Sequence, residues 1–266
     1  MRVGHQTYSW EMLGGDWHGS ADDILDAVAA AGYEGVEFSN VMIGSYWDRP
    51  ADFRRALSAR KLSLAAFAFA ADDGFTDPAR YEADLSGVEK ALGLAAAFSV
   101  PLCLAGPSSH SHERAEAKLS QACRLYNEAA RLGKQKGVVV AVHPHSHHTS
   151  LVLSSTEYDR LLEATESSGL KFNPDTGHIV RGGQDLLGCF QRHRERIVHV
   201  HCKDVDAAGK WQPMGEGSCD FPRLFEWLGE QGYQGWLISE EESEAVRSNL
   251  QSAISRNRSY FRSLGF

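Results

Sequence analysis

The feature that most constrains this chain is a rhythm, in which short apolar runs alternate with longer amphipathic segments from one end to the other. The runs are RVGHQTY, GVEFSN, LSLAAFAFA, VPLCLAG, VVVAVHPH, LKFNPDTG, IVHVHCKD and GWLISEEE. Between them lie segments with apolar residues at helical spacing, among them ADDILDAVAAAG, DLSGVEKALGLAAAF, STEYDRLLEATESSG and FPRLFEWLGEQG. A strand that is apolar along its whole length is buried on both faces, which calls for helices packed over a parallel sheet. Repeated eight times in 266 residues, with no linker or low-complexity gap, the pattern predicts an α/β fold. Its expected form is a single (β/α)8 TIM barrel forming one domain over 1–266. AGYEGVEF (31–38) returns as QGYQGWLI (231–238), with glycines for a tight helix-to-strand turn and a tyrosine to pack on the helix just ended. Ser155 or Thr156 is expected to cap one helix, and Gly169 and Gly232 to end two others. A doubly wound sheet is the alternative, but no GxGxxG phosphate loop follows any run.

Composition narrows the function classes. The net charge is −8 and no Lys/Arg-rich block occurs, so a nucleic-acid partner is not expected. Five scattered cysteines with no CxxC pair imply reduced thiols, hence a cytoplasmic protein without a disulfide framework. MRVGHQTYSWEM has no hydrophobic signal region. No apolar run reaches the ~18 residues of a membrane span, so no membrane partner is expected either.

In a barrel the chemistry belongs at the C-terminal strand ends, and here those ends are unusually polar. The second strand offers Glu37 and Asn40, and the loop after the fourth offers His110 and His112. The fifth ends in HPHSHH (143–148), the sixth in NPDTGH, the seventh in HVHCKD and the eighth in SEEE. Side chains alternate across a strand. Ala141, His143 and His145 therefore share one face; so do Asn173 with Asp175, His199 with His201 and Lys203, and Ile238 with Glu240. The last inward position of each strand gives His143, Asp175, His201 and Glu240. Two imidazoles and two carboxylates suit one divalent transition ion. Mn2+ or Co2+ fits best, Fe2+ and Zn2+ remain open, and Mg2+ prefers an all-oxygen shell. Each residue also has a plainer reading. His199 reads as a hydrogen-bonded core histidine, His147 and His148 as a solvated loop, and Asp175 as a turn or helix cap. Glu241 reads as solvated, and Lys203 as the partner of Asp204.

PDTGHI, IVHVHCKDV, MGEGSCDF and GWLISEEE together resemble the xylose-isomerase-like family of sugar isomerases, epimerases and dehydratases. The resemblance spans nearly the whole chain. It implies a (β/α)8 barrel with one divalent metal held by residues ending strands five to eight, which are His143, Asp175, His201 and Glu240 here. Most isomerases and epimerases of the family end strand five with glutamate, as ExH, whereas this chain has HPH. A histidine there removes one negative charge from the metal site and one of the two bases of an epimerase. The stretch HPHSHHTS…TEYDRLLEAT…PDTGHI looks instead like the inosose dehydratases.

The resemblance therefore implies a metal-dependent lyase that dehydrates a cyclic keto-polyol such as 2-keto-myo-inositol through a metal-stabilised enolate. Glu240 is the expected base, and Lys203, His145 or His178 the expected acid. Glu37 and Trp10, with His145, His178 and Lys203, are the expected substrate contacts. The rival is a metal-dependent sugar isomerase or 3-epimerase acting on a ketose, or an enzyme eliminating from a 3-keto-glycoside. A non-catalytic sugar-binding subunit conflicts with a full ligand set, and the family's abasic-site nucleases conflict with the acidic charge. The partner is thus a small keto-polyol or sugar, and a homo-oligomer is left open.

Overall fold

The computed structural model describes residues 1–266. Its strands are β1 Arg2–Gln6, β2 Gly35–Ser39, β3 Ser63–Phe69, β4 Leu102–Ala105, β5 Val140–His143, β6 Lys171–Phe172, β7 Val200–Cys202, β8 Asp204–Val205, β9 Trp211–Gln212 and β10 Trp236–Ser239. Its helices are α1 Tyr8–Glu11, α2 Ala21–Ala31, α3 Pro50–Ala59, α4 Tyr81–Phe98, α5 Ala115–Lys136, α6 Ser155–Ala164, α7 Thr176–Arg181, α8 Leu186–Arg192, α9 Phe221–Glu230 and α10 Glu244–Ser263. Each apolar run of the sequence holds one strand of an eight-stranded sheet in the order β6-β5-β4-β3-β2-β1-β10-β7. The fold is α/β, a (β/α)8 TIM barrel. β8 and β9 are an antiparallel pair outside that sheet.

The chain divides into two compact units, Met1–Ala65 with His199–Phe266, and Ala66–Val198. In the first, β1 pairs in parallel with β2 and β10, and β10 with β7, setting Ile238 beside His201. Val3, Val36, Phe38, Val200, Leu237 and Ile238 are buried beneath apolar residues of the helices, such as Ile24, Leu25, Phe53, Leu224 and Ile254. Ser20 opens α2 with a reciprocal capping box to Asp23. Gly32 and Gly232 have φ of 85° and 70°, left-handed turns that glycine enters without steric cost. The Tyr33 hydroxyl donates to the Ile254 carbonyl of α10 at 2.9 Å.

In the second unit β4 pairs with β3 and β5, and β5 with β6. Small buried side chains, Ala66, Cys103 and Ala141, pack together with Val198 against them. Ala141 shares its strand face with His143, so the apolar cluster and the first histidine belong to one face of β5. The cap of α6 is Ser154, one residue before the expected Ser155 or Thr156. Ser154 accepts the Glu157 N–H while Glu157 reaches back to the Ser154 N–H. The glutamate three residues on from Ser154 fixes that choice. Gly169 has φ of 73°, as a turn after a helix requires. The five cysteines are buried thiols outside any disulfide. No helix is long and apolar enough to cross a membrane.

Candidate metal centre

His143, His145, Asp175 and His178 lie in the second unit. His143 ends β5, is 6% exposed, and its Nδ1 lies 3.2 Å from the Asn173 carbonyl oxygen. A carbonyl can only accept, so Nδ1 carries the hydrogen and Nε2 keeps the lone pair that a metal requires. Asp175 is the N-cap of α7, its Oδ1 accepting the His178 N–H at 2.7 Å. The plainer reading of Asp175 as a helix cap is thus found in the structure. It leaves the carboxylate fixed in direction, because one oxygen is committed to the helix. Ligand atoms of His143 and Asp175 lie within 4.8 Å of each other.

His178 is buried, and its Nδ1 accepts the Ser146 backbone N–H at 2.9 Å, with Ser146 Oγ at 2.8 Å. A backbone N–H can only donate, so neutral His178 carries its hydrogen on Nε2 and presents a donor. His145 is half-buried, with ring centroids 4.6 Å from His143 and 5.2 Å from His178. His147 is half-buried, 5.1 Å from the His178 ring, while His148, His110 and His112 are exposed.

In the first unit lie His201, on β7, and Glu240, the residue after β10, whose N–H donates to the Cys202 carbonyl at 3.1 Å. His201 Nδ1 lies 2.6 Å from Glu240 Oε2, and His201 Nε2 lies 3.0 Å from Glu37 Oε2. The same Glu37 oxygen lies 2.6 Å from His199 Nε2. Lys203, 1% exposed, donates to Glu240 Oε1 at 2.7 Å and to Glu242, with its Nζ 4.8 Å from the Trp211 ring centroid. Burial works against the His201 cation, but the Glu37 and Glu240 carboxylates prevail and hold its pKa up at about 10. Burial opposes the Glu37 anion too, yet His201 and His199 keep its pKa well below the usual carboxylate range. Burial, then Glu240, pushes Glu242 up to about 8 despite Lys203.

These donors fit a divalent transition ion. His201 Nδ1 and Glu240 Oε2 are both lone-pair atoms when the pair is deprotonated, and 2.6 Å is too close for two acceptors without positive charge between them. A proton supplies that charge, and a cation bound by the pair would displace it.

Several residues lie elsewhere than the sequence suggested. Lys203 does not pair with Asp204, because neighbouring residues on extended backbone point to opposite faces. The Asp204 carboxylate instead accepts from the N–H groups of Val205, Gly215, Gly217 and Cys219 at 2.9–3.1 Å, which organises the MGEGSCDF loop. Glu241 is buried, not solvated: it accepts from Ser243 N–H at 2.7 Å and from Asn257 of α10 at 2.7 Å. Burial raises its pKa. Trp10 is 1% exposed, edge-on to His5 and Trp17. Glu37 has no exposed surface, and His199 is the hydrogen-bonded core histidine the sequence suggested. Glu242 was not singled out by the sequence. Its signal was there, since it shares the strand-end alternation of Ile238 and Glu240.

The family model described as "Xylose isomerase-like TIM barrel" matches residues 25–264. The chain belongs to that family. It is 26% identical to an inosose dehydratase of Lacticaseibacillus casei, over 86% of this chain and 84% of the relative. It is 31% identical to the rhizopine catabolism protein MocC of Rhizobium meliloti, over 87% of this chain and 77% of the relative. Among solved structures, the IOLI protein with a binding zinc atom superposes with a TM-score of 0.81 at 12% identity, covering 99% of this chain and 98% of that one. At that identity the likeness is one of fold.

Proposed function

We propose that this protein is a metal-dependent hydro-lyase that removes water from a cyclic keto-polyol of the 2-keto-myo-inositol class. His143, Asp175, His201 and Glu240 would together hold one divalent ion, with manganese or cobalt best suited to two imidazoles and two carboxylates. The observation that carries the reading is His143 at the end of β5, where the family's isomerases and epimerases commonly place glutamate. A two-base epimerisation needs that carboxylate; an elimination does not. The names of the relatives from Lacticaseibacillus casei and other bacteria support the same substrate class.

When bound, the ion supplies electrophilic pull on the ketone oxygen, which acidifies the neighbouring C–H. The chain's residues then divide the work. The Glu240 carboxylate takes the α-proton, and the C–O bond at the β-carbon breaks as its hydroxyl takes a proton from the His145 imidazolium and leaves as water, Glu240 and His145 then exchanging that proton with solvent. His178 donates towards that hydroxyl, because the Ser146 N–H holds its hydrogen on Nε2. His145 contacts the polyol beside it. Lys203 keeps the Glu240 and Glu242 carboxylates together in a buried setting.

The test is a paired assay of wild type and His143→Glu, with metal content measured in both. The variant is expected to keep its ion, lose about tenfold in dehydration rate, equal to ~1.4 kcal/mol, and gain weak epimerase activity on ketoses. An unchanged dehydration rate with full metal content would contradict the proposal.

A further inference from the structure

The Glu37 carboxylate has no place in the chemistry just described, yet it is the most enclosed acid of the first unit, with no exposed surface. It stands on β2, whose five residues are all buried, in register with Gln6 of β1. A buried carboxylate is costly unless paired, so its partners indicate its purpose. Those partners are two imidazoles: Glu37 Oε2 lies 2.6 Å from His199 Nε2 and 3.0 Å from His201 Nε2.

Both distances are those of hydrogen bonds. An ionised carboxylate can only accept, so both histidines donate from Nε2. In His201 this assigns the hydrogen to Nε2 and leaves Nδ1, the atom facing Glu240 Oε2, as the one that can give a lone pair to a metal.

We infer that Glu37 is a positioning residue that selects Nδ1 of His201 as the metal-ligating atom, and that His199 holds Glu37 in place to do so. His199 makes this bond through Nε2 alone, as its buried Nδ1 has no hydrogen-bond partner. The arrangement is a carboxylate clamped by one imidazole so that it can orient another. It takes Glu37 out of the set of residues expected to touch the substrate. The inference rests on the proposed role of His201 as a metal ligand, and its test keeps the two apart.

The test uses the whole chain and Zn2+ as the probe, with affinity read by chelator competition and ring ligation by histidine 15N NMR of the zinc-loaded protein. Wild type is expected to show His201 ligated through Nδ1 with a hydrogen on Nε2. Glu37→Leu removes the acceptor, and zinc affinity should fall 10–100-fold, in the range seen when such outer partners are removed, with Nδ1 ligation lost or mixed. Glu37→Gln keeps a carbonyl oxygen to accept both hydrogens, so it should restore Nδ1 ligation and most of the affinity. If Glu37→Leu misfolds, the Gln variant and His199→Leu carry the comparison, His199→Leu giving a smaller loss than Glu37→Leu. Zinc affinity and Nδ1 ligation unchanged in Glu37→Leu, or a rise in KM alone, would overturn the inference. His201→Ala separates the underlying reading: if that variant binds zinc as wild type does, it is His201 as ligand that fails.

Discussion

The side chains of His201 and Glu240 are met by buried side chains, whereas those of His143, Asp175 and His178 each meet a backbone group. Around the first pair are Glu37, His199, Lys203 and Glu242, charged or polar, buried, and within hydrogen-bond reach of one another. In the second set His143 faces the Asn173 carbonyl, Asp175 takes the His178 N–H, and His178 takes the Ser146 N–H. A backbone group is positioned by the fold and survives mutation of its own residue. A buried charge network has no such protection, since each member's cost is offset only by the others. The same task, aiming a ligand, is therefore fragile in one unit and robust in the other.

The sharpest way to break this contrast is Lys203→Met. It leaves Glu240 and Glu242 buried without their shared cation, and loss of one partner from a buried ion pair costs ~3–5 kcal/mol. Urea unfolding should show a loss of that size, and a loss below about 1 kcal/mol would mean the network is hydrated and the contrast is wrong.

Asp175 measures the backbone-held side. Asp175→Ala removes a candidate ligand and a helix cap together, and the cap alone is worth ~1 kcal/mol. Asp175→Asn retains an acceptor for the His178 N–H, so unfolding should show little change while elemental analysis shows the ion lost. Equal destabilisation by both changes would mean that the carboxylate's charge, not its cap, holds α7.

The smallest effect lies away from the ligands, at Asp84 in the second unit. Burial first, and Asp73 next, push its pKa up to about 6. In the unfolded chain the value is ~3.9, so between these values the folded protein binds more protons than the unfolded one. Asp84 therefore makes stability fall as pH rises from about 4 to about 6. Asp84→Asn should flatten that part of the stability–pH curve without touching metal content, and an unchanged slope would remove the charge pair from the account.

Much of this architecture was legible in the chain. Doubly buried strands alternating with amphipathic helices leave few folds, and period-two alternation at the strand ends brought His143, Asp175, His201 and Glu240 forward as one set. What the sequence hid was which partner each polar group would choose. Lys203 has an acid beside it in the chain, but strand geometry turns Asp204 to the other face, where it gathers four loop N–H groups. Glu241 reads as one more solvated charge in SEEE until α10 brings Asn257 against it. Glu37 reads as a strand-end acid that meets substrate until its two histidines, more than 160 positions away in sequence, are seen on the same oxygen. Local pattern decides which face a residue takes; long-range packing decides what waits there.

The most direct test of the central claim is the reaction itself. Wild-type protein reconstituted with Mn2+ or Co2+ is incubated with 2-keto-myo-inositol and, separately, with a panel of ketoses, and products are followed by mass spectrometry and ultraviolet absorbance. The account predicts a product of the keto-inositol lighter by one water, with new absorbance from a conjugated ketone, dependent on added metal and absent in His201→Ala. Efficient epimerisation of a ketose at unchanged mass, with the keto-inositol left untouched, would contradict it.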